Sequence, residues 1–127
     1  MRDTHVLIVE DDANLRDTLV WALEENGIDV AAAIDGPDAV DKATVRAPGL
    51  VVLDMGLPGL DGFGVATALR ARVGTDLPIL VITADGRARQ KAEKVGAYAY
   101  LHKPFDVDAL VQRVREGFAG PQTSQLP

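Results

Sequence analysis

The segment Val6-Leu7-Ile8-Val9-Glu10-Asp11-Asp12 decides how the rest of the chain is read. Four apolar, mostly β-branched residues in a row are the pattern of a strand buried on both faces of a parallel sheet, and three acids cut the run off. Behind it Leu15, Leu19, Ala22 and Leu23 recur at helical spacing until Asn26-Gly27 supplies a left-handed stop. The unit is strand, then helix.

Working outward, the same unit recurs. A strand from Ile28 to Ala33 leads to a helix opened by Gly36-Pro37, with Ala39, Val40 and Ala43 inward, and Ala47-Pro48-Gly49 breaks it. A strand from Leu50 to Leu53 ends at Asp54 and a loop with Pro58 and Gly59 follows. A third helix then starts near Asp61, with Phe63, Ala66, Leu69 and Val73 on one face and Gly74 closing it. Strand Ile79 to Ile82 ends at Thr83, helix Gly86 to Val95 stops at Gly96, and strand Tyr98 to His102 ends at Lys103-Pro104. The last helix carries Val107, Leu110, Val111, Val114 and Phe118. Five strands alternating with five helices over short connections predict a doubly wound, flavodoxin-like α/β domain: one parallel sheet of order 2-1-3-4-5 with helices on both faces. Residues 1–118 are expected to form the domain and residues 119–127 a tail or the start of a linker.

In such a sheet the carboxyl ends of the strands share one edge, and ligands bind where the strand order reverses, between strands one and three. Asp11 and Asp54 become neighbours there, beside Glu10, with Thr83 and Lys103 at the ends of strands four and five. Strands are ~4.8 Å apart, so the carboxylates repel one another unless a cation intervenes. Magnesium suits that set, because it takes one or two carboxylates and keeps waters that a phosphate oxygen can replace. Thr83 and Lys103 can bind the remaining oxygens. A carboxylate can itself attack phosphorus, in a transfer that consists largely of positioning and charge neutralisation.

Composition narrows the alternatives. The 127 residues make one domain. No apolar stretch approaches the ~20 residues that span a bilayer, and no cleavage pattern follows the N-terminus, so the expected location is the cytoplasm, away from membranes. Without cysteine, and with only His5 and His102, any metal must be held by oxygen. A net charge of −6 and a pI near 4.7 oppose direct nucleic-acid binding. Residues 1–84 hold 6 basic and 14 acidic side chains and residues 85–118 hold 7 and 5, so the two parts are expected to meet different partners.

Taken in order, Val6 to Asp12, Asp54-Met55-Gly56-Leu57-Pro58-Gly59-Leu60-Asp61-Gly62, Ile82-Thr83-Ala84, Gly96-Ala97-Tyr98-Ala99-Tyr100-Leu101 and Lys103-Pro104-Phe105 resemble the response-regulator receiver domain of two-component signalling, over roughly residues 4–118. The resemblance implies that Asp54 accepts a phosphoryl group from a histidine kinase or histidine phosphotransfer protein. It implies magnesium held directly by Asp11, Asp54 and the Gly56 carbonyl, and by Glu10 through water. Asp54, Thr83 and Lys103 would carry the chemistry, Ala84, Lys103 and Pro104 would border the phosphate, and Thr83 and Tyr100 would move together as the switch. The Lys103-Pro104 peptide would be cis. Output would pass through helix four, strand five and helix five to a downstream protein partner, from a monomer or a phosphorylation-dependent dimer.

Plainer roles stand beside these. Aspartates after strands cap helices; Tyr98 and Tyr100 share one face of strand five, where Tyr98 is expected to pack against a flanking helix. Trp21 lies off the apolar arc and faces outward, with packing against a neighbouring helix its expected role. Helix four offers only Ala88, Ala92 and Val95 to the core. A nucleotide enzyme would need glycines after strand one, and an aspartate-nucleophile phosphatase a second acid where Gly56 stands. The chain is expected to catalyse only its own phosphorylation and dephosphorylation. A degenerate receiver used as a binding module, or the receiver fragment of a DNA-binding transcriptional regulator, is the alternative. The stand-alone form is slightly favoured.

Overall fold

The structure, a computed structural model, describes residues 4–56 and 61–119. The loop expected at Pro58 and Gly59 and the tail beyond Ala119 lie outside the described residues. Ten elements alternate: β1 (Val6–Val9), α1 (Ala13–Glu25), β2 (Val30–Ala33), α2 (Gly36–Val45), β3 (Leu50–Asp54), α3 (Gly62–Val73), β4 (Ile79–Thr83), α4 (Ala88–Val95), β5 (Ala99–His102) and α5 (Val107–Phe118). The strands form one parallel sheet in the order β2-β1-β3-β4-β5.

Every residue of β1, β3 and β4 is buried, which is why these strands read as unbroken apolar runs. Alternate residues serve opposite faces. Leu7, Val9, Val51, Leu53, Ile79 and Val81 build a core with α2, α3 and α4. Val6, Ile8, Leu50, Val52, Leu80 and Ile82 build another with α1 and α5. Parallel register pairs Val9 with Leu53, Leu53 with Val81 and Thr83 with His102, so the strands finish together along one edge.

Several boundaries differ from the sequence reading, each for a local reason. β2 begins at Val30 rather than Ile28, because α1 ends in a Schellman turn. Gly27 (φ 76°) donates to Glu24 O and Ile28 to Leu23 O, which spends the Ile28 amide on the helix. α4 begins at Ala88 rather than Gly86, since the Arg87 amide donates to Asp85 Oδ1 in a turn. β5 begins at Ala99, and Tyr98 packs with Ala99 and Leu101 against the α1–α5 core while Tyr100 packs on the other side. The two tyrosines therefore do not share a face. The Tyr98 hydroxyl donates to Arg113 O on α5 at 2.6 Å, the packing role expected of it.

Phe63 and Phe118, expected inward, are 40% and 36% exposed. Val65 and Gly117 take the buried positions. A Cβ on Gly117 would lie 2.6 Å from the Tyr98 ring and clash with Leu50, so no larger residue fits there. Trp21 faces outward, 64% exposed, and belongs to neither core. α4 buries only Ala88, Ala92 and Val95, as its sequence predicts.

Candidate functional site

The edge where the strands finish gathers the acids that follow β1 and the acid that ends β3. Glu10 follows β1 and is fully buried; Asp54 ends β3, 4% exposed; Asp11 is exposed. One oxygen from each lies within 4.8 Å of the others. Asp12 points elsewhere: it caps α1, accepting from the amides of Asn14 (2.9 Å) and Leu15 (3.3 Å).

Lys103, directly after β5, reaches across β4 to this cluster. Its Nζ lies 2.7 Å from Glu10 Oε1 and 3.2 Å from Asp54 Oδ2. The Lys103 amide donates to Thr83 O at 2.8 Å, which ties the start of the side chain to the end of β4; the Lys103-Pro104 peptide is cis, as expected. Asp54 Oδ1 accepts the Gly56 amide at 2.9 Å, and Glu10 Oε2 accepts the Asp12 amide at 3.1 Å. Burial pushes the Glu10 carboxyl up to about 7, against the opposing pull of Lys103. On Lys103 the downward pull of burial is outweighed by Glu10 and Asp54, which raise its affinity for the proton. The pocket is thus short of positive charge by the measure of its own acids, and its donor set is all oxygen. That combination fits a divalent, hard cation such as magnesium.

The other expected residues sit nearby in different ways. Thr83 is buried, 1% exposed, and its hydroxyl accepts the Asp85 amide at 3.1 Å. Ala84, Gly56 and Pro104 are exposed at the edge. Tyr100 is half-buried, paired in register with Val81, two rows below the Thr83–His102 pair. Arg16 was not singled out by sequence, yet its Nη1 donates to Glu10 O at 2.9 Å and holds the β1–α1 turn that presents Asp11. Its only sequence signal is a basic residue one turn into the helix behind an acid cluster.

A doubly wound sheet of order 2-1-3-4-5, with three carboxyl groups and a lysine at its switch point, places the chain in the flavodoxin-like class of α/β domains, which bind ligands there. Within it, the family model "Response regulator receiver domain" matches residues 6–115, and the chain belongs to that family. The transcriptional regulatory protein PrrA of Mycobacterium tuberculosis is 40% identical over 112 residues, 87% of this chain and 48% of PrrA. The DNA-binding dual master transcriptional regulator RpaA of Synechocystis is 41% identical over 113 residues, 87% of this chain and 47% of RpaA. The chain therefore spans about half the length of the curated relatives it matches. Among solved structures, Vibrio cholerae chemotaxis protein CheY4 superposes with a TM-score of 0.82 at 28% identity, covering 89% of this chain and 97% of that one. The receiver domain of NtrX from Brucella abortus gives 0.83 at 29% identity, covering 91% and 98%. The chain is a response-regulator receiver domain, the phosphorylation-dependent switch of two-component signalling, and its acidic cluster is of the kind that holds magnesium in such domains. Among the described residues no helix is long and apolar enough to cross a membrane.

Proposed function

We propose that Asp54 is the phosphoacceptor, and that Asp11, Asp54 and the Gly56 carbonyl hold magnesium directly, with Glu10 acting through water. The observation that carries this reading is the grip on Asp54: one oxygen fixed by the Gly56 amide, the other facing Lys103, with Asp11 at the open side. The metal, when bound, supplies charge neutralisation for the phosphoryl oxygens. A carboxylate oxygen of Asp54 attacks the phosphorus of a phosphohistidine. The P–O bond forms as the P–N bond breaks, and the donor imidazole keeps the electron pair and takes up a proton. Lys103 and the Thr83 hydroxyl bind the transferred oxygens, with Ala84 and Pro104 bordering them.

The phosphodonor is a histidine kinase or a histidine phosphotransfer protein, as for receiver domains generally. Incubation with acetyl phosphate and magnesium should add one phosphoryl group to the intact mass, and none to Asp54→Ala. Equal labelling of that variant would overturn the assignment. A ligand biases a switch only by binding one state better. The phosphoryl group does so if Thr83 bonds it only in the active arrangement, freeing space for Tyr100 and altering α4, β5 and α5. Identical amide spectra for residues 84–118 before and after phosphorylation would contradict that route.

A second reading concerns the whole protein. The matched relatives PrrA and RpaA are regulators about twice the matched length. Residues 1–118 then act as the receiver half of a transcriptional regulator, residues 119–127 lead into a linker, and DNA contact belongs to another part. A coding frame that continues beyond Pro127 into a helix-turn-helix segment would support this over a stand-alone regulator in the cytoplasm.

A further inference from the structure

Away from the acidic edge, α3 and α4 enclose a groove of about 350 Å³. Phe63, Thr67, Arg70 and Ala71 of α3 form one wall, Lys94 and Val95 of α4 the other, and none of the lining residues is acidic. In a chain of net charge −6 that is a local inversion of sign. Lys94 Nζ stands 4.7 Å from the centroid of the Phe63 ring, and both side chains are exposed.

Arg70 makes the groove a fixed shape. Its Nη1 donates to Val95 O, and its Nη2 donates to Gly96 O at 2.9 Å and Leu77 O at 3.4 Å, so α3 holds the C-terminal end of α4. Burial lowers the proton affinity of its guanidinium, and Nε is buried without a hydrogen-bond partner among the described residues. The nearest acid on α4, Glu93, is paired with Arg89 (3.8 Å) and does not line the groove.

The exposed aromatic ring is the part that the fold does not explain. Phe63 sits one position off the buried arc Gly62, Val65, Ala66 and Leu69, and gains only a solvent-weakened cation–π contact with Lys94. Covering the pair with an apolar side chain would strengthen that contact by desolvation, provided a carboxylate meets the Lys94 ammonium at the rim. The volume lies at the small end of ligand pockets, which enclose most of their occupant, and the groove is open; it holds one anchoring side chain rather than a whole small molecule.

We propose that the α3–α4 groove is a docking site for an acidic segment of a partner protein that inserts one leucine- or phenylalanine-sized side chain over Phe63 and sets its carboxylates on Lys94. The site does not depend on Asp54, and the unphosphorylated full chain tests it. The probe is a labelled Asp-Glu-Leu-Asp-Glu peptide, against Asp-Glu-Ser-Asp-Glu and Lys-Gln-Leu-Gln-Lys, followed by amide shifts and fluorescence anisotropy. The acidic, leucine-bearing peptide should shift amides of α3 and α4 and bind about tenfold tighter than either control. Lys94→Glu and Phe63→Ala should each weaken it by about tenfold, at an unchanged melting temperature, while Lys42→Glu on α2 has no effect. Shifts outside α3 and α4, equal binding of the basic peptide, or undiminished binding by Lys94→Glu would overturn the proposal.

Discussion

Because Lys103 Nζ faces both Glu10 and Asp54 at 2.7 and 3.2 Å, Lys103→Met leaves two buried carboxyl groups without the cation that meets them. On the proposed function this removes a donor that acts where charge develops, and the initial rate of labelling by acetyl phosphate should fall about 100-fold or more. A rate within a factor of about two of the parent chain would remove Lys103 from the chemistry. Arg16 acts one step back: it touches the backbone carbonyls of Glu10 and Asp11, not their carboxyl groups. Arg16→Ala should weaken magnesium binding, read by titration, and should leave labelling possible, whereas the proposed function expects none from Asp54→Ala. Gly117→Ala tests packing alone. Its new methyl group meets Leu50 and the Tyr98 ring, so urea unfolding should show a loss of about 1–3 kcal/mol with labelling chemistry intact.

At the scale of elements, α2 shows how a helix start titrates. Asp35 accepts the Asp38 amide at 2.9 Å, and Asp38 accepts the Ile34 amide at 3.0 Å and pairs with Lys42 at 3.1 Å. The Ile34 amide, with Lys42, holds the Asp38 carboxyl below its ordinary value, so this stability is complete above the unfolded value and disappears as pH falls through the folded one. Asp38→Ala should therefore cost about 1 kcal/mol near neutral pH, a deficit that shrinks in paired urea titrations as pH falls through the lowered folded-state value of Asp38. α4 contrasts with it: three small or medium apolar residues anchor eight, and no side chain caps it at Arg87. Its amides should exchange with deuterium faster than those of α1. These differences explain what the sequence hides. The apolar runs of β1, β3 and β4 end in acids or Thr83, so sheet, order and acidic edge were legible before any coordinates. Phe63 and Phe118 misled because large apolar residues weigh more than Val65 or Gly117 in a helical pattern, although close approach to Tyr98 favours glycine. Tyr98 misleads because strand alternation does not extend to the residue before β5 begins. Arg16 was invisible because a backbone carbonyl leaves no trace in composition.

Across the whole molecule, β1, β3 and β4 are shared by two cores on opposite faces of one sheet. A cavity on either side loosens the strands that both depend on. Leu53→Ala, on the α2–α4 side, and Leu80→Ala, on the α1–α5 side, should each lower stability by about 2–5 kcal/mol within a single urea transition. Separate transitions for the two faces would show that the cores melt independently. The transition has to be followed by far-ultraviolet circular dichroism, for a reason built into α1. Trp21, the one tryptophan, is 64% exposed in the folded chain. Its indole already emits from water, so unfolding changes the colour of its fluorescence little. The same feature gives the domain a steady optical background on one outer face. A partner that covers α1 should announce itself as a blue shift, whereas a ligand seated between α3 and α4 should leave the emission where it was.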